Sequence, residues 1–360
     1  MSEKLEPTFE GDFTFALDVP FSLDGGGSLG PVTLHHAMYG KMSPARDNVI
    51  LICHALSGSA RIGDWWPDLL GPGKPFDPSC YCLLGVNVVG SCYGSTGPTS
   101  LNPATGLRFG GDFPVISIRD MVRAQANLVD HLGLGQLHAV VGGSIGGMQA
   151  LAWAVDFPER VNRCIAIGAA PLNAMGLALS HLQRQAIRGD PAWRGGHYPH
   201  GEQPVVGLAL ARAIATITYK SDELFRERYG RNSNRAGEDP ACSHAGRFDV
   251  AGYLDHQGKV FVDRFDANSY LVLSRAQDTF ELGRDPVEEA KVLSRARAKT
   301  LLIGITRDWL FPPEEVRGLA ERFQAAGVRA EYAEIVTNHG HDGFLAHPEL
   351  LAPLVTRALQ

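Results

Sequence analysis

The run Val140-Val141-Gly142-Gly143-Ser144-Ile145-Gly146-Gly147 constrains the fold more than any other stretch of this chain. It reads as a buried strand, a forced tight turn with a serine at its tip, and then a helix. Gly142, Ser144 and Gly146 satisfy a G-x-S-x-G pattern, in which the glycines leave room for a strained strand-to-helix turn and the serine oxygen projects above a sheet. Ahead of the turn, Leu137 to Val141 is apolar and β-branched. Behind it, Met148, Leu151, Ala152 and Val155 recur at helical spacing. This context marks Ser144 as a candidate nucleophile.

The pattern alone does not suffice. With 41 glycines in 360 residues, chance places the two required glycines around roughly one serine in 77. A second match does occur, Gly26-Gly27-Ser28-Leu29-Gly30. Ser28, however, falls between Phe13–Leu23 and Val32–Tyr39, which both read as strands, and Pro31 opposes a following helix. That site reads as a hairpin turn.

Strands and helices alternate over the rest of the chain. Val49–Leu56, Tyr81–Val89, Leu137–Gly143, Cys164–Ala169, Thr300–Thr306 and Ala330–Val336 read as short buried strands. Helical patterns cover Ile118–Leu132, Met148–Phe157, Pro313–Ala326 and Leu350–Leu359. Such alternation implies a mostly parallel sheet covered on both faces. About 130 residues separate Ala170 from Thr300, against the roughly 30 of a simple βαβ unit. Helical signals at Val206–Tyr219 and Asp222–Tyr229 make this a largely helical insertion, expected to lie over the sheet's C-terminal edge where α/β ligands bind.

Composition excludes several function classes. A net charge of −6 gives no electrostatic footprint for nucleic acid. No apolar run approaches the roughly 20 residues that cross a bilayer, and Met1 to Gly11 is polar with no apolar signal core. Six scattered cysteines, several of them in apolar strands (Cys53, Cys82, Cys164), read as buried free thiols in a reducing cytoplasm. No zinc spacing stands out. His339 and His341 lack an evident third ligand.

A serine nucleophile needs a base, and the base needs an orienting carboxylate. On this kind of sheet the chain order is Ser, then Asp or Glu, then His. Asp308 follows the strand ending at Thr306, and His339 and His341 follow the last strand. Oxyanion donors are expected from the N–H of Ile145, just after the nucleophile, and from the loop His54-Ala55-Leu56-Ser57-Gly58, with Leu56 the choice. His54 reads as a loop-packing residue.

Several longer motifs carry a resemblance. They are His54-Ala55-Leu56-Ser57-Gly58, Asn87-Val88-Val89-Gly90-Ser91-Cys92-Tyr93-Gly94-Ser95-Thr96-Gly97-Pro98 and Gly142-Gly143-Ser144-Ile145-Gly146-Gly147-Met148-Gln149-Ala150. Further on come Arg264-Phe265-Asp266-Ala267-Asn268-Ser269-Tyr270-Leu271, Asp308-Trp309-Leu310-Phe311-Pro312 and Gly340-His341-Asp342-Gly343-Phe344-Leu345. Over nearly its whole length the chain resembles the homoserine O-acetyltransferases of the α/β-hydrolase superfamily.

The resemblance implies an α/β-hydrolase fold, with a mostly parallel eight-stranded sheet flanked by helices. Residues 1–170 and 297–360 would form the catalytic core, and 171–296 a helical lid through which a homodimer forms. It implies Ser144, Asp308 and His341 as the triad, which selects His341 over His339. It implies Arg212 for the acceptor's carboxylate, Tyr219 two helical turns on as a substrate contact, and Asp342 for the ammonium group. The small-molecule substrates are then an amino acid and acetyl-CoA or another acyl-CoA, used as a co-substrate with no permanently bound cofactor and no metal. Lys220, Arg226, Arg228, Arg231 and Arg235 could meet the CoA phosphates. Ser57, Ser91, Arg307 and Gly343 depart from the residues usual in the family, which leaves serine as acceptor and succinyl-CoA as donor open. An esterase or deacetylase with the same triad, or a non-catalytic binding protein, are the rival readings.

Overall fold

The computed structural model describes residues 4–235 and 237–360. Its strands are β1 (Phe9–Phe15), β2 (Phe21–Ser22), β3 (Ser28–Leu29), β4 (Val32–Tyr39), β5 (Val49–Cys53), β6 (Cys82–Val86), β7 (Ala139–Gly143), β8 (Arg163–Ile167), β9 (Lys299–Ile305) and β10 (Ala330–Ile335). Eight of them form one sheet in the order β1-β4-β6-β5-β7-β8-β9-β10, parallel from β6 to β10 and antiparallel at β1–β4–β6. The two-residue strands β2 and β3 pair separately.

The first hairpin differs in detail from the expectation. Phe13–Leu23 is not one strand, because Ala16 takes a φ of 59° and the chain leaves the sheet there. The reversal is made by Asp24–Gly27, where Gly26 and Gly27 have φ of 92° and 81°. Ser28 sits just past it in β3, opposite Ser22. No helix follows Ser28, so this second serine motif lacks the elbow that defines the first.

Helices cover both faces of the sheet. The first three are α1 (Ile62–Trp65), α2 (Ile118–His131) and α3 (Ile145–Asp156). The pleat of β5 sends Val49, Leu51 and Cys53 toward the layer containing α2 and α3, while Ile50 and Ile52 point to the opposite layer with Ile62 and Trp66. A strand buried on both sides has no polar alternation, which is why these segments read as continuous apolar runs. The helix α2 starts at a full capping box: Ser117 accepts from the Asp120 N–H at 3.1 Å, and Asp120 accepts from the Ser117 N–H at 2.8 Å.

Between β8 and β9 the chain runs through α4 (Ala174–Gly189), α5 (Val205–Thr218), α6 (Asp222–Arg228), α7 (Asp249–Val262), α8 (Ala267–Asp278) and α9 (Pro286–Leu293). The helix α5 packs between α4 and α7, and α9 rests on α10 (Pro313–Ala325) of the core. The chain closes with α11 (Gly343–Ala346) and α12 (Pro348–Leu359). The inserted segment reaches the loops at the C-terminal ends of the parallel strands. Arg264 donates to the Ser57 carbonyl beyond β5 at 2.9 Å, and the Asp342 N–H beyond β10 donates to the Tyr219 carbonyl at 2.9 Å.

The turn from β7 into α3 leaves no room for a side chain at either flanking glycine. A Cβ built on Gly142 would meet the Gly146 carbonyl oxygen at 2.3 Å, and one on Gly146 would meet the Cys53 carbonyl oxygen at 2.2 Å. Both obstacles are backbone and cannot rotate away. Gly146→Ala is therefore expected to force the first turn of α3 off the end of β5. Thermal melts followed by circular dichroism should show a loss of at least about 2 kcal/mol, the scale of an overpacked core.

Candidate active site

Ser144 occupies the N-cap position of α3, where a serine ordinarily bonds the helix's free N–H groups. Here it does not. Its φ of 58° and ψ of −129° turn the side chain away, and it makes no capping hydrogen bond. The backbone is fixed instead, with the Ser144 N–H donating to Ile167 O at 2.9 Å. The residue is 7% exposed, so its side chain is held within the packed interior of the site.

Asp308 and His341 follow β9 and β10 and meet in the interior. Asp308 Oδ2 lies 2.6 Å from His341 Nδ1, and both residues are 3% exposed. The other carboxylate oxygen, Oδ1, accepts from the N–H groups of Leu310 at 2.8 Å and Phe311 at 2.9 Å. The carboxylate is thus locked with one oxygen free for the imidazole. Burial alone would push the His341 pKa down. The charge and hydrogen bond of Asp308, with a further contribution from Asp342, outweigh burial and raise it above the ordinary value.

The same packing sets the His341 loop against the backbone that anchors Ser144. Gly168, which follows the residue that anchors Ser144, would place a Cβ 3.4 Å from the His341 ring, and a Cβ on Gly143 would meet the Phe344 ring at 2.5 Å. No Ser144–His341 hydrogen bond forms among the described residues. Apo sites often leave that bond to tighten when ligand arrives.

The β5 strand ends at Cys53, three residues earlier than expected, and frees His54–Leu56 to form a loop against the start of α3. His54 is buried and structural. Its Nε2 accepts from the Val88 N–H at 3.2 Å, its Nδ1 faces the Ala55 carbonyl at 2.7 Å, and burial pushes its pKa down to about 4. This fixes the loop that carries Leu56. Ile145 is the first residue of α3, where an N–H has no intrahelical acceptor and the helix dipole favours negative charge.

The three expected ligand-binding residues line up beside His341. The guanidinium carbon of Arg212 lies 5.5 Å from the Tyr219 ring centre, and the Tyr219 ring is 5.7 Å from that of His341. Arg212 forms no ion pair among the described residues. Asp342 is already engaged, accepting from Lys220 Nζ at 2.9 Å. Lys220 is thus a largely buried partner of Asp342 and not part of a basic surface patch. The rest of that expected patch is dispersed: Arg226 pairs with Asp222 at 2.9 Å and Arg235 with Glu238 at 4.0 Å, and Arg231 lies over Phe248 at 5.1 Å. His339 is turned away from His341, toward Arg228 and His347. No group of three or more metal-ligating side chains converges among the described residues.

Sequence reasoning gave no role to Arg264, although it lies in a quoted motif. Its guanidinium donates to Tyr93 Oη at 2.8 Å and to Ser57 O, and stacks on Phe261 at 5.2 Å, while Arg212 stacks on the same ring at 5.0 Å. Both arginines line a cavity of about 670 Å³ with Ala55, Ser57, Trp65 and Tyr93. The lining residues Ala55 and Ser57 flank Leu56, so the cavity opens beside the loop that follows β5.

An alpha/beta hydrolase fold profile matches residues 48–348. A homoserine O-acetyltransferase of Caulobacter vibrioides is 43% identical over 99% of this chain and 96% of its own. One of Symbiobacterium thermophilum is 44% identical over 95% and 92%. Among solved structures, a homoserine O-acetyltransferase from Bacillus anthracis superposes with a TM-score of 0.90 at 28% identity, covering 99% of this chain and 98% of that one. The esterase E22 superposes almost as well, with a TM-score of 0.89 at 27% identity over 98% and 100%.

A fluorophosphonate serine reagent should label the protein stoichiometrically, and Ser144→Ala should abolish the labelling. The labelling rate should fall on the acid side as His341 takes up a proton. Asp308→Asn removes the charge that raises the His341 pKa and leaves burial to lower it. The acid limb should then move to lower pH while the rate drops by about 10³–10⁴-fold. An unmoved limb would contradict the assigned pair.

Proposed function

This chain belongs to the homoserine O-acetyltransferase family of the α/β-hydrolase fold, and from that premise we propose that it moves an acetyl group from acetyl-CoA to the side-chain hydroxyl of L-homoserine through an acyl-enzyme. The observation that carries the reading is the set of polar groups beside His341. Arg212, Tyr219 and Asp342 supply what an amino-acid acceptor needs, in a chain 42–45% identical to relatives of that name.

In the first half-reaction His341 takes the Ser144 proton and Ser144 Oγ attacks the thioester carbonyl. Asp308 holds the imidazole in the correct tautomer. The N–H groups of Ile145 and Leu56 receive the developing oxyanion. Collapse releases the CoA thiol, which takes the proton from His341, and leaves Ser144 acylated. In the second half-reaction His341 deprotonates the acceptor hydroxyl, which attacks the ester and regenerates Ser144. The cavity lined by Arg264, Trp65 and Tyr93 is the entry route for the acyl donor.

Transfer has to outrun hydrolysis. Water exceeds a millimolar acceptor by roughly four to five orders of magnitude, so parity alone needs about 5–7 kcal/mol. Orientation of a bound acceptor can supply about 7–11 kcal/mol. That gives residues 171–296 their role as a lid, and gives Arg212 the task of fixing the carboxylate through its bidentate fork. An esterase shares the triad and the fold but has no use for such receptors.

The lid also supports a homodimer. Val206, Leu210 and Ile217 form one exposed apolar stripe on α5, beside exposed Met175 and Leu182 on α4. Isolated exposed apolar residues are ordinary, but contiguous stripes mark association surfaces.

A thiol-release assay crossing acetyl- and succinyl-CoA with homoserine, serine and water tests the reading. Acetyl-CoA with homoserine should turn over fastest, and no advantage over water for any pair would overturn it. Arg212→Met should raise the acceptor KM by about 10–100-fold, the worth of a charge-assisted pair, and change the KM for acetyl-CoA far less. Leu210→Asp with Ile217→Asp should halve the mass measured by light scattering.

A further inference from the structure

We propose that the segment Tyr219–Arg228, running from the end of α5 through α6, is the positioning clamp of the acid–base pair, with Glu223 and Glu227 as its latches. The inference rests on the triad reading of Ser144, Asp308 and His341 and assigns work to residues that reading leaves idle.

Residues bracketing the pair are held from this segment. Arg307, just before Asp308, lies 2.7 Å from Glu223, a charge contact and not an aligned hydrogen bond. Asn338 donates from Nδ2 to Glu227 at 2.7 Å, and its carbonyl accepts from Ser221 Oγ. Arg228 donates to His339 at 3.3 Å. On the far side of His341, Asp342 takes the Lys220 ammonium at 2.9 Å and gives its N–H to Tyr219 O.

Gly340 shows how close the contact is. With φ of 66°, it would place a Cβ 3.0 Å from Arg307 O, 3.1 Å from Ser221 N and 3.2 Å from Lys220 C. The base's loop is therefore pinched between the acid's loop and the inserted segment's backbone. The acid and base ride on separate strands, β9 and β10, and α6 joins both loops. Arg212 stands on α5 and Tyr219 at its end, so the proposed carboxylate receptor and the clamp share one stretch of chain.

The test compares the full-length protein with Glu223→Gln/Glu227→Gln, with Arg307→Glu, and with the swap Glu223→Arg/Arg307→Glu. Fluorophosphonate labelling of Ser144, kcat and KM for acetyl-CoA, the transfer-to-hydrolysis ratio and thermal melts are measured for each. The double variant should lose about tenfold in kcat and labelling rate with KM within about twofold, because small misplacements of a reacting group are costly. Its products should shift toward hydrolysis, Arg307→Glu should lose a similar factor, and the swap should recover most of it. Rates within about twofold of the parent, a loss that tracks the unfolded fraction, or a swap no better than Arg307→Glu would overturn the clamp. A parent protein that is not labelled at Ser144 overturns the triad reading itself, which separates the two failures.

Discussion

The close approach of the first turn of α3 to the end of β5 is the contact on which the rest of the site depends. Gly146 against the Cys53 carbonyl and Gly142 against the Gly146 carbonyl leave no alternative path for the chain between them. Ser144 is forced into a φ of 58°, a conformation that costs a side-chain-bearing residue about 1–3 kcal/mol. The cost is offset because β7 and α3 are buried along nearly their whole length. Strain that would relax at a surface is held here by packing on both sides. The consequence is chemical: a serine in a capping position is barred from capping, and its hydroxyl stays available.

That geometry also orders the neighbours. The loop after β5 can turn across the front of α3 because its strand stops at Cys53, and His54 anchors it to the next strand's exit at Val88. The exit of β8 supplies Ile167, which holds the Ser144 N–H, and Gly168, which leaves space for His341. Six parallel strands run side by side, and four of their C-terminal exits deliver the loop after β5, Ser144, Asp308 and His341 to one edge. The parallel sheet does the assembling, and the loops do the chemistry.

The legible parts of the sequence were those with a local physical signature. Buried strands show as apolar runs and helices as 3.6-residue periodicity, and the elbow shows as glycines around a serine. The errors lie where burial outlasts hydrogen bonding. Tyr81–Val89 reads as one apolar strand, yet pairing ends at Val86, and Asn87 and Val88 tie the loops together instead. Arg264 against Ser57, Lys220 against Asp342 and Glu223 against Arg307 join positions far apart in sequence. Such pairs leave no periodic trace. The five cations of the expected patch illustrate the reverse case, a cluster in sequence that the fold spreads among separate partners.

Lys220 bears on what the Asp342 carboxylate can receive. Asp342 contributes to the raised pKa of His341, so any cation bound to Asp342 alters the field at the base. In the free protein that cation is already present as the Lys220 ammonium. An amino-acid acceptor arriving at Asp342 brings a group of the same charge and nearly the same hydrogen-bonding capacity. On the proposed reading, the acceptor's ammonium has to share the Asp342 carboxylate with Lys220 or displace it, and a displaced Lys220 stays within reach because it is fixed to the end of α5. The pair therefore sets a threshold that a weakly held cation does not pass, while an acceptor anchored at the same time through its carboxylate can.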